Sequence, residues 1–387
     1  MKKLKILLMG EYSNVHATLA EGFRALGHEV TVVSNGDFWK DYPRDIDLQR
    51  STGRWGGMAY LAKVVACLPR LRGYDVVQLI NPMFLELKAQ RIAPIYRYLR
   101  RHNKKVFLGA FGMDYYWVHE NITRKPLRYS DFNIGTQLRN DKPALTERHD
   151  WVGTAKERLN RMIAADCDGI IAGLYEYWAC YSPLFPKKTT FIPYPIKPKA
   201  QKAGVCCGEQ HHPLRLFIGI SRGRSAYKGT DIMLAAAQAV CRKYPKQTEL
   251  RVAEGVPFSQ YTQMLEGADA ILDQLYSYTP SMNPLEAMSR GIICVGGGEP
   301  ENYEILGDTD LKPIINVQPT YSSVYQSLEW MVTHPEDIPR LKAGSIEYIA
   351  RYHHYRKVAQ RYIDFYLSAA GRRPSLHTNG QTAEKIL

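Results

Sequence analysis

The sequence has no apolar run approaching the roughly 18 to 20 residues that a membrane-spanning helix requires. Its first residues, Met1-Lys2-Lys3-Leu4-Lys5-Ile6-Leu7-Leu8-Met9-Gly10, set lysines before apolar side chains as a signal peptide does. The apolar run is too short for that role and Glu11 follows at once, so it reads as a first β-strand. Cysteine is sparse and unpatterned: Cys67, Cys167, Cys180, Cys206, Cys207, Cys241 and Cys294 are odd in number, scattered, and form no Cys-x-x-Cys pair. That argues against a disulfide framework and a structural zinc site. The adjacent Cys206 and Cys207 read as reduced thiols in a linker. These absences imply a cytoplasmic chain.

Acidic residues are also in deficit. Lys plus Arg number 51 against 38 Asp plus Glu, a net charge of +13. Such a balance favours an anionic partner. No recognised nucleic-acid-binding module accompanies it, so nucleic acid is not expected. The excess is uneven. From Lys88 to Lys105 there are seven cations (Lys88, Arg91, Arg97, Arg100, Arg101, Lys104, Lys105) and no acid, with Leu85, Leu87, Ile92, Ile95, Tyr96 and Leu99 interleaved at roughly helical spacing. Two readings stand: a packed helix with a solvated basic face, or a peripheral helix at an anionic membrane surface.

What is present is a repeated alternation of strand and helix signals. A chain of 387 residues with 45% hydrophobic and 23% charged residues suits a soluble protein of two domains. In the first half, 5–9, 30–33, 75–80, 106–108 and 169–172 read as buried strands, and 16–26 as a helix stopped by Gly27. Alternation of this kind means a parallel sheet whose ligands gather beyond the carboxyl ends of the strands. Residues 121–151 break the rhythm and read as a long loop insertion over the active site. Ile192-Pro193-Tyr194-Pro195 closes the half. The polar stretch 199–213, with Gly204, Gly208, His211 and His212, reads as a linker. The alternation restarts with strands at 214–220, 249–252, 270–272, 292–295 and 313–317, and helices at 232–240, 321–333 and 346–367. The polar tail 371–387 is expected to be disordered.

Two segments of the second half carry chemistry. Ser221-Arg222-Gly223-Arg224-Ser225-Ala226-Tyr227-Lys228-Gly229-Thr230-Asp231 lies between a strand and a helix. Glycines let backbone approach a phosphate, and Arg222, Arg224 and Lys228 could neutralise a diphosphate. The other reading is a basic surface loop. Asn283-Pro284-Leu285-Glu286-Ala287-Met288-Ser289-Arg290-Gly291 sets Glu286 near the head of a helix, where a carboxylate can accept hydrogen bonds from a ribose diol. The backbone of Met282 and Asn283 would face phosphate. The alternative is a glutamate that merely favours the helix dipole. Asp-x-Asp patterns at Asp45/Asp47, Asp166/Asp168 and Asp308/Asp310 read as chance occurrences, and no metal site is expected.

Jointly, the Arg/Lys-Gly loop between strand and helix and the later Pro-Leu-Glu-Ala-Met-x-x-Gly resemble the nucleotide-binding half of family 4 retaining glycosyltransferases. Gly296-Gly297-Gly298-Glu299-Pro300-Glu301-Asn302 continues the likeness. The resemblance implies an α/β fold of the GT-B type, two Rossmann-like doubly wound domains facing across a cleft. Domain limits are then 1–198 for the acceptor domain and 199–349 for the donor domain, with a helix at about 350–369 packing back on the first. It implies transfer from a nucleotide-diphosphate sugar to a saccharide or lipid-linked saccharide, without metal or other cofactor, at the inner face of the membrane. Asp114 lies after a strand, where the resemblance implies a polar residue near the reaction centre, and it or His119, five residues on, could orient or deprotonate the acceptor; the alternatives are a capping Asp and a surface His. Gly229, Met282 and Asn283 are expected at the diphosphate, and Gly10, Glu11, Ser13 and Asn14, at the end of the first strand, along the cleft with Tyr278. Tyr278 is a departure, since the family's first glutamate would stand there. Two alternatives remain beside transfer: a nucleotide-sugar 2-epimerase of the same fold, and a degenerate sugar-nucleotide-binding partner subunit.

Overall fold

A computed structural model of the chain describes residues 2–198, 213–221, 223, 225–308 and 310–369. The linker 199–212 with its two histidines and paired cysteines, Arg222, Arg224 and the tail 371–387 lie outside the described residues.

Two parallel sheets follow one another along the chain. The first comprises β1 (Lys5–Met9), β2 (Glu29–Ser34), β3 (Ile46–Asp47), β4 (Val76–Leu79) and β5 (Lys105–Ala110), then β8 (Gly169–Ala172) and β9 (Thr189–Phe191), in the order β3-β2-β1-β4-β5-β8-β9. Between β5 and β8 a separate hairpin pairs β6 (Asn133–Ile134) with β7 (Gln137–Leu138). The second sheet comprises β10 (Leu214–Ile220), β11 (Thr248–Glu254), β12 (Ala270–Leu272), β13 (Ile293–Gly296) and β14 (Ile315–Asn316), in the order β11-β10-β12-β13-β14. Ile6, Leu7, Leu8 and Met9 are each 0% exposed, as expected of a strand covered by helices on both faces. In each sheet the order reverses beside one central strand, β1 in the first and β10 in the second. That reversal opens a crevice at the carboxyl ends.

The expected helix 346–367 is two helices, Ile338–Tyr348 and Tyr355–Ser368, separated by a wider turn at Ile349–His353. The break is where the chain returns to the first sheet. Ile196 N–H donates to the His353 carbonyl at 2.6 Å and Tyr355 N–H to the Ile196 carbonyl at 2.9 Å. The Tyr355–Ser368 helix then lies on the Val15–Ala25 helix, with Tyr362 and Tyr366 against Phe23. A Cβ on Gly22 would sit 2.6 Å from the Tyr355 carbonyl oxygen, so this crossing requires glycine there.

The 121–151 segment is not one loop. It contains the β6–β7 hairpin and the Lys142–Trp151 helix, which is capped by the Asp141 carboxylate on Ala144 N–H. The helix buries only Ala144 and Trp151, too little apolar periodicity to be read from sequence.

The basic run folds as the Ala89–His102 helix and buries Ile92, Ile95, Tyr96 and Leu99. Its cations divide. Arg100 grips Asp168 and Asp166, Lys104 pairs with Asp75 at 2.6 Å, and Lys105 donates to the Tyr366 and Ala369 carbonyls at the end of the last helix. Lys88, Arg91, Arg97 and Arg101 remain on the exposed side. No helix among the described residues is long and apolar enough to cross a membrane.

Candidate active site

A cleft of about 710 Å³ opens where the carboxyl ends of the two sheets face each other. Its wall from the first half includes Tyr12 and Ser13 after β1, Lys40 and Tyr42 from the β2–β3 connection, Phe111 after β5, and Tyr177 after β8. From the second half come Ser221 and Lys228 after β10, Asp273 and Gln274 after β12, and Asn283 and Glu286 of the short Met282–Met288 helix. The size suits a drug-sized or nucleotide-sized ligand.

Several of the sequence's candidates meet in this cleft: Ser13, Lys228, Met282, Asn283 and Glu286. Gly229 supports Lys228 from behind. It caps the Thr230–Lys243 helix at φ 71°, and a Cβ there would sit 2.8 Å from Leu275. Both the positive φ and the close approach select glycine. Glu286 is braced by Arg290 at 2.7 Å, one helical turn on. Asn283 donates from Nδ2 to the Tyr261 hydroxyl at 2.7 Å. The Tyr261 ring lies where a Cβ on Gly219 would come within 2.7 Å, so that glycine makes room for it.

Other candidates lie behind the wall. Asp114 is fully buried and caps the Tyr115–Ile122 helix, accepting from Trp117 N–H and from the Tyr181 hydroxyl, both at 2.8 Å. Burial pushes its carboxyl up to about 7. It holds a helix end and a tyrosine, as a capping Asp does, and is not among the residues that line the cleft. His119, on the same helix, faces Glu120 at 3.1 Å and packs tilted against Tyr115, outside the cleft lining. Gly10 packs under Ile80, where a Cβ would come within 2.4 Å. Glu11 caps the Val15–Ala25 helix, accepting from His16 N–H at 3.3 Å and Ala17 N–H at 2.8 Å, and burial pushes its carboxyl up to about 8. Asn14 is the residue in front of that helix, at φ 72°. These residues shape the β1 turn and leave the cleft surface to Tyr12 and Ser13.

Tyr278 is 1% exposed and belongs to the contact between the halves. Its hydroxyl accepts from Arg128 N–H at 2.7 Å, and its ring packs on Tyr129 and Tyr175. Glu176 of the first half accepts from the backbone N–H groups of Tyr278 and Thr279 and from the Thr279 hydroxyl. The first half also reaches over through 121–151. Arg128 pairs with Glu299 and Glu301, and Tyr129 donates to Glu299 at 2.5 Å. Arg139 donates to the Ala226 carbonyl at 2.9 Å, and Asp131 accepts from the Tyr227 hydroxyl at 2.7 Å. The turn that carries Lys228 is therefore held from the opposite half of the molecule.

The residue that sequence reasoning missed is Asp273. It follows β12, its Oδ2 is buried without a hydrogen-bond partner, and burial pushes its carboxyl up to about 6 against the opposing charge of Lys228. The same strand-end rule applied to Gly10 would have flagged it, because Ala270–Leu272 was recognisable as a buried strand. Tyr12 stands between Glu11 and Ser13 after the first strand and was open to the same rule, whereas nothing in local sequence ties Lys40, Tyr42 and Tyr261 to the cleft.

Five of the six Asp-x-Asp carboxylates pair with arginines. Arg24 and Arg44 take Asp45 and Asp47, Arg100 takes Asp166 and Asp168, and Arg351 takes Asp308. Among the described residues no group of three or more His, Cys, Asp or Glu is placed to hold a metal ion.

No protein-family profile matches the sequence, and no curated relative does. Solved structures match in fold. Sucrose-phosphate synthase from Thermosynechococcus elongatus aligns at TM-score 0.59 and 13% identity, over 95% of this chain and 98% of that one. Anabaena Alr3699/HepE, solved in complex with UDP and glucose, aligns at 0.57 and 11%, over 94% and 100%. TarM from S. aureus, solved as a variant with Fondaparinux, alpha-GlcNAc-glycerol and UDP, aligns at 0.52 and 11% over 80% of this chain, which spans 59% of TarM. The fold is GT-B, two Rossmann-like domains facing across a cleft.

Proposed function

We propose that this protein is a glycosyltransferase that moves a sugar from a nucleoside-diphosphate donor to a hydroxyl of a saccharide or lipid-linked saccharide, with retention at the anomeric carbon. The observation that carries the reading is the cleft itself. Lys228 and Glu286 line one wall, and Tyr12, Ser13 and Lys40 line the other, where the carboxyl ends of two parallel sheets meet. Two of the fold neighbours were solved with UDP, which supports the choice of donor class.

In this reading Glu286 accepts from the ribose diol, and Lys228 meets the diphosphate together with Arg222 and Arg224. The bond between anomeric carbon and phosphate oxygen breaks, its electron pair staying on the diphosphate. The acceptor oxygen bonds to the anomeric carbon, and its proton passes to the departing phosphate oxygen. The growing negative charge is met by protein cations and needs no metal or other cofactor. A preorganised donor of this kind is worth about 10²–10³ in rate. Asp273 takes the sugar-facing part that the family gives to its first glutamate. Its carboxylate, on the cleft wall, accepts from a hydroxyl of the transferred sugar. The acceptor lies against Tyr12, Ser13, Lys40 and Tyr42. Work on a lipid-linked acceptor would place the protein at the inner face of the cytoplasmic membrane.

The test is calorimetric binding of UDP, GDP and other nucleoside diphosphates, followed by product analysis with the matching sugar conjugates. Lys228→Ala should weaken binding of the diphosphate and lower turnover about 100-fold or more. Absence of binding by every nucleoside diphosphate, or an unchanged Lys228→Ala variant, would refute the site. Binding without transfer would mark a partner subunit, and an epimerised free donor would mark a 2-epimerase.

A further inference from the structure

The exposed large apolar side chains of this protein are not spread evenly. Phe38 (59% exposed), Trp55 (66%), Met58 (54%) and Val65 (52%) all fall between β2 and β4. Three of them belong to the Gly56–Cys67 helix and the residue in front of it. That helix touches the protein body through Gly56, Tyr60 and Val64, one side of its wheel. The opposite side is Met58, Ala59, Ala62, Lys63, Val65 and Ala66, all exposed. Such a face is inverted for a surface helix, which ordinarily turns its polar side to water.

Charge around this apolar face is mostly of one sign, the exception being Asp47, which pairs with Lys63 at 3.4 Å. From Leu48 to Tyr74 there are five cations, Arg50, Arg54, Lys63, Arg70 and Arg72, and no acid. All five are exposed. The band continues onto the neighbouring Ala89–His102 helix, joined by the Tyr98 hydroxyl donating to the Leu68 carbonyl at 3.0 Å. That helix offers Arg91, Arg97 and Arg101 but buries its apolar residues, so it can attract a surface and cannot enter one.

We propose that the Gly56–Cys67 helix is an interfacial helix that lays Trp55, Met58 and Val65 into an anionic lipid surface, with the arginines at its two ends on the headgroups. An apolar face carrying Trp, flanked by Lys and Arg, is the composition that the headgroup–acyl boundary accepts. A second copy of this chain is the poorer occupant, because each copy carries net charge +13 and would present the same cations. The helix hangs on the β2–β4 connection that also carries Lys40 and Tyr42 of the cleft wall and the exposed Phe38. Docking there would bring the cleft's first-half wall towards the bilayer. The proposal stands on exposure and charge and does not depend on the reaction assigned to the cleft.

The experiment is co-sedimentation of the full chain with phosphatidylcholine vesicles, with and without phosphatidylglycerol, at low and high salt. The expected result is partition onto the anionic vesicles, weakened by salt. The double variant Trp55→Glu/Met58→Glu should lose at least about tenfold in partition while keeping its melting temperature. Arg91→Ala/Arg97→Ala/Arg101→Ala should weaken partition less and in a salt-dependent way. Equal partition of the Trp55→Glu/Met58→Glu variant overturns the proposal, as does absence of binding to anionic vesicles. A dimer in light scattering that this variant abolishes would reassign the face to a second copy.

Discussion

Glu176 gives the sharpest test of how the two halves are joined. It sits in the first half, is 4% exposed, and accepts three hydrogen bonds from the loop after β12: from Tyr278 N–H, from Thr279 N–H at 3.1 Å and from the Thr279 hydroxyl. Burial raises its pKa above the ordinary carboxylate range. Glu176→Ala removes the acceptor for all three donors. A buried donor left unpaired costs about 1–3 kcal/mol, so three cost about 3–9 kcal/mol, less what entering water restores. Glu176→Gln is different. Its amide oxygen can still accept from both backbone N–H groups, and its NH₂ can donate to the Thr279 oxygen, so the cost is about 1 kcal/mol or less. At about 2–4 °C per kcal/mol for a unit of this size, Glu176→Ala should melt at least about 6 °C lower and Glu176→Gln within about 4 °C of wild type. Differential scanning calorimetry makes the measurement, and a split of the transition into two would report the halves uncoupling. Equal damage by the two variants would refute the reasoning, since it would mean that the charge and not the hydrogen-bond set is what matters. A harmless Glu176→Ala would refute the clamp itself.

Two further outcomes follow from the cleft and its floor. Asp273→Asn should leave nucleoside-diphosphate affinity within about twofold and lower transfer by about 10–100-fold, because one hydrogen bond to the sugar is lost; with the Asp273 carboxyl at about 6, the acid limb of the wild-type pH–rate profile near pH 6 should vanish in this variant. Loss of nucleotide affinity would instead put Asp273 at the diphosphate. Glu11 holds its proton up to about pH 8 when folded and only to about 4.5 when unfolded, so the folded state binds the extra proton between those values and stability falls as pH rises through that window. Glu11→Gln, measured by urea unfolding, should remove that slope and be more stable than wild type by about 1–3 kcal/mol at pH 8.5, with little difference at pH 5. His16, its pKa pushed down to about 3 by burial, titrates below that window, while Asp114 and Asp273, pushed up to about 7 and about 6, titrate inside it in both proteins, so the Glu11 effect is read from the difference between the two curves. An identical pH dependence for the two proteins would show that Glu11 is ionised in the fold.

Much of the fold was legible because it rests on local pattern. Apolar runs such as Ile6-Leu7-Leu8-Met9 and Ala270-Ile271-Leu272 are short and continuous, which only doubly covered strands tolerate, and Gly27 and Gly291 mark helix ends at φ 86° and 77°. The Lys142–Trp151 helix was not legible, because it buries only two residues. The break at Ile349–His353 was not legible either. It exists to let Ile196 pair across 150-odd positions with His353 and Tyr355, and no local signal encodes that partner.

The same division runs through the site. Lys228, Asn283 and Glu286 could be picked out because each stands at a strand end or helix head, a position that local sequence defines. Sequence could not assign Asp114 and Glu11, since a carboxylate at a strand end reads alike whether it caps a helix behind the wall or faces the ligand in front of it. Tertiary packing decided that question by burying Asp114 against Tyr181 and setting Asp273 on the cleft wall. It also decided which helix shows an apolar face to the outside. Hydrophobic spacing says that a helix has a face to bury, and only the neighbours present in the folded chain determine whether anything covers it.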